Sequence, residues 1–154
     1  MKILDILKKD SMIPDLKAQD KIDVLNELSE RVSQVYGIEQ KELVKVLIER
    51  EELGSTGIGG GIGIPHGKLK DIEELALGFG ISQEGIDFDS MDGRPTHIFF
   101  LLVTPETGKS RDDHLKLLAN ICRLLRSEVF KEKLISASDP DEIYNVIKEE
   151  DKEF

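Results

Sequence analysis

The chain is short of the residues that most often carry chemistry. Its 154 residues include one cysteine, Cys122, so no internal disulfide can form, and three histidines, His66, His97 and His114. A lone thiol points to a reducing, cytoplasmic setting. Basic side chains are also scarce: 21 Lys and Arg stand against 31 Asp and Glu, a formal charge of −10. Such a chain lacks the clustered basic face that a phosphate backbone requires, which excludes nucleic acid as a partner. No apolar run approaches the roughly 18 residues that span a bilayer. The opening Met1-Lys2-Ile3-Leu4-Asp5 lacks the apolar stretch of a signal peptide. No repeat, low-complexity tract or Pro/Ser linker divides the chain, so one domain over residues 1–154 is expected, long enough to bury a core without staples.

What is present reads first as pattern. Residues 1–16 form a lead-in, extended at Ile13-Pro14-Asp15 because proline disfavours helix before it. From Asp20 the chain turns helical: Leu25, Leu28, Val32 and Val35 recur at steps of three and four, and Gly37 ends the run. A second helix is expected over residues 40–53, with Leu43 and Leu47 on one face and Gly54 as its stop. Residues 75–81 alternate poorly but are apolar enough for a strand. The run Ile98-Phe99-Phe100-Leu101-Leu102-Val103 has the character of a strand buried on both faces. The turn Met91-Asp92-Gly93-Arg94-Pro95 feeds it. Ser110 reads as a helix cap with Asp112 and Asp113 in the first turn. Leu117, Leu118, Ile121, Leu124 and Leu125 then make an apolar stripe. Helices over residues 129–135 and 140–150 follow. Helices around a central buried sheet define an α/β fold.

Between Gly54 and Gly67 lie seven of the thirteen glycines. Glycine-rich loops let backbone approach a ligand and aim N–H groups at an anion. Spacing excludes the familiar nucleotide loops. A P-loop ending at Gly67-Lys68 needs glycine at 62 and Ser or Thr at 69, where the chain has Ile62 and Leu69. The runs beginning at Gly57, Gly59 and Gly61 each lack the third glycine of a dinucleotide fingerprint. What remains is His66, fixed between Pro65 and Gly67. A histidine ring titrates near about pH 6.5, so much of it is neutral and nucleophilic in a cytoplasm. Proline restrains the backbone before the ring and glycine removes bulk after it, a setting suited to a covalent intermediate on the imidazole. A solvent-exposed turn histidine is the plain alternative; the clustered glycines favour a phosphate-type ligand.

Other residues carry two readings each. Arg50 continues the stripe of Leu43 and Leu47, so it either meets an anion beside the loop or pairs locally with Glu49, Glu51 or Glu52. His114 falls on the stripe of Leu117, Leu118 and Ile121, where a satisfied core histidine is the default. Ser55 and Thr56 can donate hydroxyl protons to a phosphoryl group or cap the turn. Lys68 can add charge or face solvent. His97 opens the buried strand as scaffold, and Cys122 reads as a small core residue. The histidines lack the spacing of a metal site, and no metal or cofactor is expected.

The run from Gly54-Ser55-Thr56-Gly57-Ile58-Gly59 through Ile64-Pro65-His66-Gly67-Lys68 resembles the active-site signature of the fructose/mannitol-type enzyme IIA domains. These belong to the bacterial phosphoenolpyruvate-dependent sugar phosphotransferase system, with its nitrogen-regulatory branch. The likeness continues through Gly85-Ile86-Asp87-Phe88, Asp92-Gly93, residues 97–103, His114-Leu115 and the helical stripe. It implies a mixed sheet of about five strands flanked by helices. It makes His66 the phosphorylated residue, through Nε2, with His114 and Arg50 supporting the phosphoryl group. Ser55, Thr56, Gly57, Gly67 and Lys68 are the further phosphoryl-binding candidates. Gly63 departs from the alanine usual in the signature. The implied donor is an HPr-type phosphohistidine protein, and the implied acceptor is an enzyme IIB domain or a regulatory target. Gly54 to Gly59 also resembles the nitrogen-regulatory branch, so a regulator governed by its phosphorylation state is expected. The alternative is a sugar-specific carrier relaying phosphate toward fructose or mannitol uptake.

Overall fold

The computed structural model describes residues 1–108 and 112–153. Ser110, read as a helix cap, lies outside the described residues. The chain opens with a short helix α1 (Ile3–Ile6), a 3₁₀ turn (Lys9–Ser11) and strand β1 (Met12–Ile13). Helices α2 (Lys21–Tyr36) and α3 (Gln40–Glu52) follow, then β2 (Gly57–Gly59), β3 (Ile62–Gly63) and β4 (His66–Leu69). Two long strands, β5 (Ala76–Ile86) and β6 (Thr96–Pro105), precede helices α4 (Asp113–Leu124), α5 (Glu128–Ser136) and α6 (Pro140–Glu150). The boundaries are chemical. Asp20 caps α2 by accepting the Asp23 N–H, and Gly37 closes it in the left-handed region at φ 70°.

The sheet is mixed and runs β1-β5-β6-β3-β2, with β4 also paired to β6. These six strands fill five positions, because β3 and β4 are one strand interrupted at Ile64-Pro65. Ile62 faces Ile98 and Gly63 faces Phe99 in β3, while His66 faces Leu102 in β4, so the parallel register is the same on both sides of the break. Pro65 has no N–H for a ladder, yet its carbonyl accepts the Leu102 N–H at 3.0 Å.

Side-chain alternation splits the core into two layers. On one face Leu77, Phe79 and Ile81 of β5 and Ile98, Phe100 and Leu102 of β6 pack with α1, α4, α5 and α6. On the other, Ala76, Phe99, Leu101 and Val103 pack with α2 and α3. The weak alternation of residues 75–81 now has a cause: bulky residues face one layer, and Ala76, Gly78 and Gly80 face the other. A Cβ at Gly78 would lie 2.5 Å from Val32 Cγ2, so the glycine admits α2 against the sheet. The lead-in is more ordered than the sequence suggests. Met12 and Ile13 pair in parallel with Phe79 and Gly80, making an edge strand.

Candidate functional site

His66 opens β4 and is half-buried. Alternation places it on the side of Ile62 and Ile64, which belong to the layer that holds Leu117 and Ile121 of α4. Its Nδ1 lies 2.8 Å from the Ile64 carbonyl oxygen. A carbonyl oxygen can only accept, so Nδ1 carries the proton and the neutral ring keeps its lone pair on Nε2. The strand break supplies that carbonyl: the Ile64 N–H turns away to Thr56 O at 3.0 Å. His114 stands half-buried in the first turn of α4, on this same side of the sheet.

Gly67 faces the opposite layer. A Cβ there would lie 2.5 Å from Val46 Cγ1. The bulk that this glycine avoids is therefore on α3, not beside the imidazole as the sequence suggested. Helix α3 ends close by, and Arg50 in its last turn donates through Nη1 to Gly54 O at 2.9 Å. No carboxylate lies within 4.0 Å of Arg50 among the described residues, so it does not pair with Glu49, Glu51 or Glu52. Lys68 is exposed, on the same face of β4 as His66.

The glycine stretch is a tight hairpin. Gly59, Gly60 and Gly61 all have positive φ, at 93°, 65° and 79°, a run that residues with a Cβ do not sustain. Its N–H groups are largely engaged inside the protein. Gly54 N donates to Glu51 O, Gly57 N to Ser55 Oγ and Gly60 N to Asp92 Oδ2. Those N–H groups are therefore not the anion cradle that glycine content alone suggested. The hydroxyls are engaged too: Ser55 Oγ donates to Phe88 O at 2.7 Å, and Thr56 Oγ1 donates to Glu51. Lys131 of α5 reaches the hairpin tip and donates to Gly60 O at 3.0 Å. Asp92 sits below the usual carboxylate range because the Gly60 and Arg94 N–H groups donate to it.

Sequence reasoning missed Glu51. Its side chain is 6% exposed, accepts the Thr56 N–H at 3.0 Å and the Thr56 hydroxyl, and pairs with Lys21 Nζ at 3.0 Å. Being surrounded by other glutamates hid it. His97 is held as scaffold, with Nδ1 2.8 Å from Ser82 O and its N–H on Gly61 O. Cys122 is half-buried against the α4 layer, where burial pushes its thiol pKa up.

His66 thus presents Nε2 at the start of β4, while Arg50 ends α3, the helix packed on that strand, with no carboxylate within 4.0 Å of it among the described residues. The profile of the phosphoenolpyruvate-dependent sugar phosphotransferase system, EIIA 2, matches residues 5–150, and the chain belongs to that family. This is the family to which the loop residues are similar. The nitrogen regulatory protein of Bradyrhizobium diazoefficiens is 40% identical over 147 residues, covering 96% of this chain and 95% of that protein. The fructose-specific EIIABC component of Bacillus subtilis is 31% identical over 153 residues, spanning 99% of this chain but 24% of that protein. The nitrogen regulatory protein IIA-Ntr of Neisseria meningitidis superposes with a TM-score of 0.85 at 26% identity, covering 93% of this chain and 97% of that one. No helix among the described residues is long and apolar enough to cross a membrane.

Proposed function

We propose that this chain is a phosphocarrier of the nitrogen-regulatory type, acting in the cytoplasm as a single domain. The lone pair of His66 Nε2 attacks the phosphorus of an HPr-type phosphohistidine. The new N–P bond forms as the donor's N–P bond breaks, and the donor nitrogen leaves with the bonding pair. Arg50 and His114 balance the phosphoryl charge, with Lys68 as a further positive charge on the His66 face of β4. Ser55, Thr56, Gly57 and Gly67 serve the site by holding its backbone. Positioning and charge stabilisation supply the catalysis, and neither nucleotide nor metal takes part. The observation that carries this reading is the 2.8 Å approach of His66 Nδ1 to Ile64 O, which leaves Nε2 as the nucleophile.

The phosphorylation state of His66 then selects the partner, a role supported by the full-length likeness to nitrogen regulatory proteins. The 31% identity to a fructose-specific component favours a second reading, in which the phosphoryl group moves on to an enzyme IIB domain for sugar uptake. Incubation with phosphoenolpyruvate, enzyme I and an HPr-type carrier should place acid-labile phosphate on His66. Equal labelling of H66A would refute the assignment. Fast donation to fructose- or mannitol-type IIB domains would replace the regulatory role with the second reading.

A further inference from the structure

The Nδ1 proton of His66 is held by one carbonyl, and that carbonyl belongs to a peptide with no donor of its own. The Ile64-Pro65 bond carries no N–H, so Ile64 O, 2.8 Å from His66 Nδ1, is its sole hydrogen-bonding group. An unrestrained neutral imidazole favours the proton on Nε2, so the aim of this carbonyl decides which ring nitrogen is free to react. The peptide is oriented from both sides. After it, Pro65 O accepts the Leu102 N–H at 3.0 Å; before it, the Ile64 N–H donates to Thr56 O at 3.0 Å.

The two anchors are built differently. Leu102 lies within β6, a ten-residue strand in the middle of the sheet. Thr56 lies just before β2, which has three residues, and the β2–β3 ladder shifts register between Gly57 and Gly59. What holds Thr56 comes from outside the sheet. Its N–H donates to Glu51 Oε1 at 3.0 Å, and its hydroxyl donates to Glu51 Oε2. Lys21 Nζ, 3.0 Å from Oε1, neutralises the carboxylate. The Glu51 side chain is 6% exposed and stands in the last turn of α3, where the helix dipole disfavours an anion. A buried acid at the unfavourable end of a helix, with both oxygens on one threonine, breaks a local preference for a functional reason. It ties the start of the hairpin to α3, the helix packed on the strand that His66 opens.

We propose that Glu51 is a positioning residue: by holding Thr56 it fixes Ile64, and through the Ile64 carbonyl it keeps the His66 proton on Nδ1 and the lone pair on Nε2. The kinetic consequence rests on the phosphocarrier reading. The effect on the ring does not, because the tautomer is set before any phosphoryl group arrives.

The test uses the full chain, isotope-labelled at the histidine nitrogens, with thermal melts on every variant. In alkaline buffer the nitrogen shifts of His66, identified by their loss in H66A, should show a protonated Nδ1 and a bare Nε2 in the wild type. E51M, which fills the space without an acceptor, should move a large share of the proton to Nε2. It should also slow single-turnover transfer from a phosphorylated HPr-type carrier about tenfold, with little change in the carrier concentration giving half-maximal rate. E51Q, whose amide oxygen still accepts the Thr56 N–H, should restore most of both. Should E51M not fold, T56V against T56S carries the comparison from the other end, because valine lacks the hydroxyl that Glu51 accepts and serine keeps it. A folded E51M, or T56V in its place, that keeps the wild-type tautomer overturns the proposal whatever its rate. So does a shifted tautomer that transfers as fast as the wild type. Failure of the wild type to label at His66 would instead overturn the phosphocarrier reading and leave the tautomer result standing.

Discussion

The His66 imidazole sets its Nδ1 2.8 Å from the carbonyl oxygen of Ile64, two residues back along an interrupted strand. That contact fixes the tautomer and leaves Nε2 with the lone pair. Phosphate is therefore expected on Nε2, read from nitrogen–phosphorus couplings of the labelled protein. Coupling to Nδ1 would contradict the geometry.

Gly67 is set by α3. A Cβ added there would lie 2.5 Å from Val46 Cγ1, inside any tolerable contact. Gly67→Ala should destabilise the fold by about 1–3 kcal/mol through overpacking. Val46→Ala opens the missing space, so the double variant should recover part of that loss in a urea melt. Additive losses would mean that the clash is relieved elsewhere.

Gly63 makes the contrasting case. A Cβ there meets Phe99 Cδ1 and Thr96 Cγ2 at 3.2 Å, tight but not prohibitive. Alanine also lowers the entropy of the unfolded chain by a stabilising amount of about 0.4–1 kcal/mol. The two effects should nearly cancel, so Gly63→Ala is expected to change stability by less than about 1 kcal/mol. A larger loss would show that Phe99 cannot yield.

How much of this was legible depended on whether the signal was local. Helix α2 was readable because its spacing and Gly37 lie within one segment. The strand of Phe99 and Phe100 was readable because burial on both faces leaves no polar residue in the run. The edge strand at Met12 was not, since two residues gain strand character only from their partners Phe79 and Gly80. In the site, His66 stood out by its neighbours Pro65 and Gly67. The pairing of Glu51 with Lys21 was hidden because its members are thirty positions apart on different helices. Glycine content likewise could not show that the loop's N–H groups are bonded internally.

The hairpin tip should respond to acid. N–H donors from Gly60 and Arg94 hold Asp92 below its ordinary value of 3.8. A carboxyl with a depressed native pKa stabilises fully above its unfolded value, and that contribution disappears as pH falls through the native one. Asp92→Ala should therefore lower the melting temperature at neutral pH, by less as pH falls below about 4. Exchange of the Gly60 amide should also quicken. A difference between wild type and variant that does not narrow in acid would assign the effect to something other than the charge.

Charge and apolar contact should separate kinetically when the carrier docks. Leu53, Ile58, Met91 and Leu115 are 86%, 45%, 80% and 63% exposed. Leu53 ends α3 beside Arg50, Ile58 lies in the hairpin, Met91 donates its N–H to Gly57 O, and Leu115 follows His114. A donor meeting these side chains gains contacts that salt does not screen, which govern dissociation. The net charge of −10 acts earlier, drawing a basic surface toward the site before contact. Raising salt from about 0.05 to about 0.5 M should slow association while dissociation changes little, because the screening length falls well below the encounter distance. Leu53→Asp should do the reverse, quickening dissociation. An association rate indifferent to salt would remove the electrostatic contribution and leave docking to the apolar rim alone.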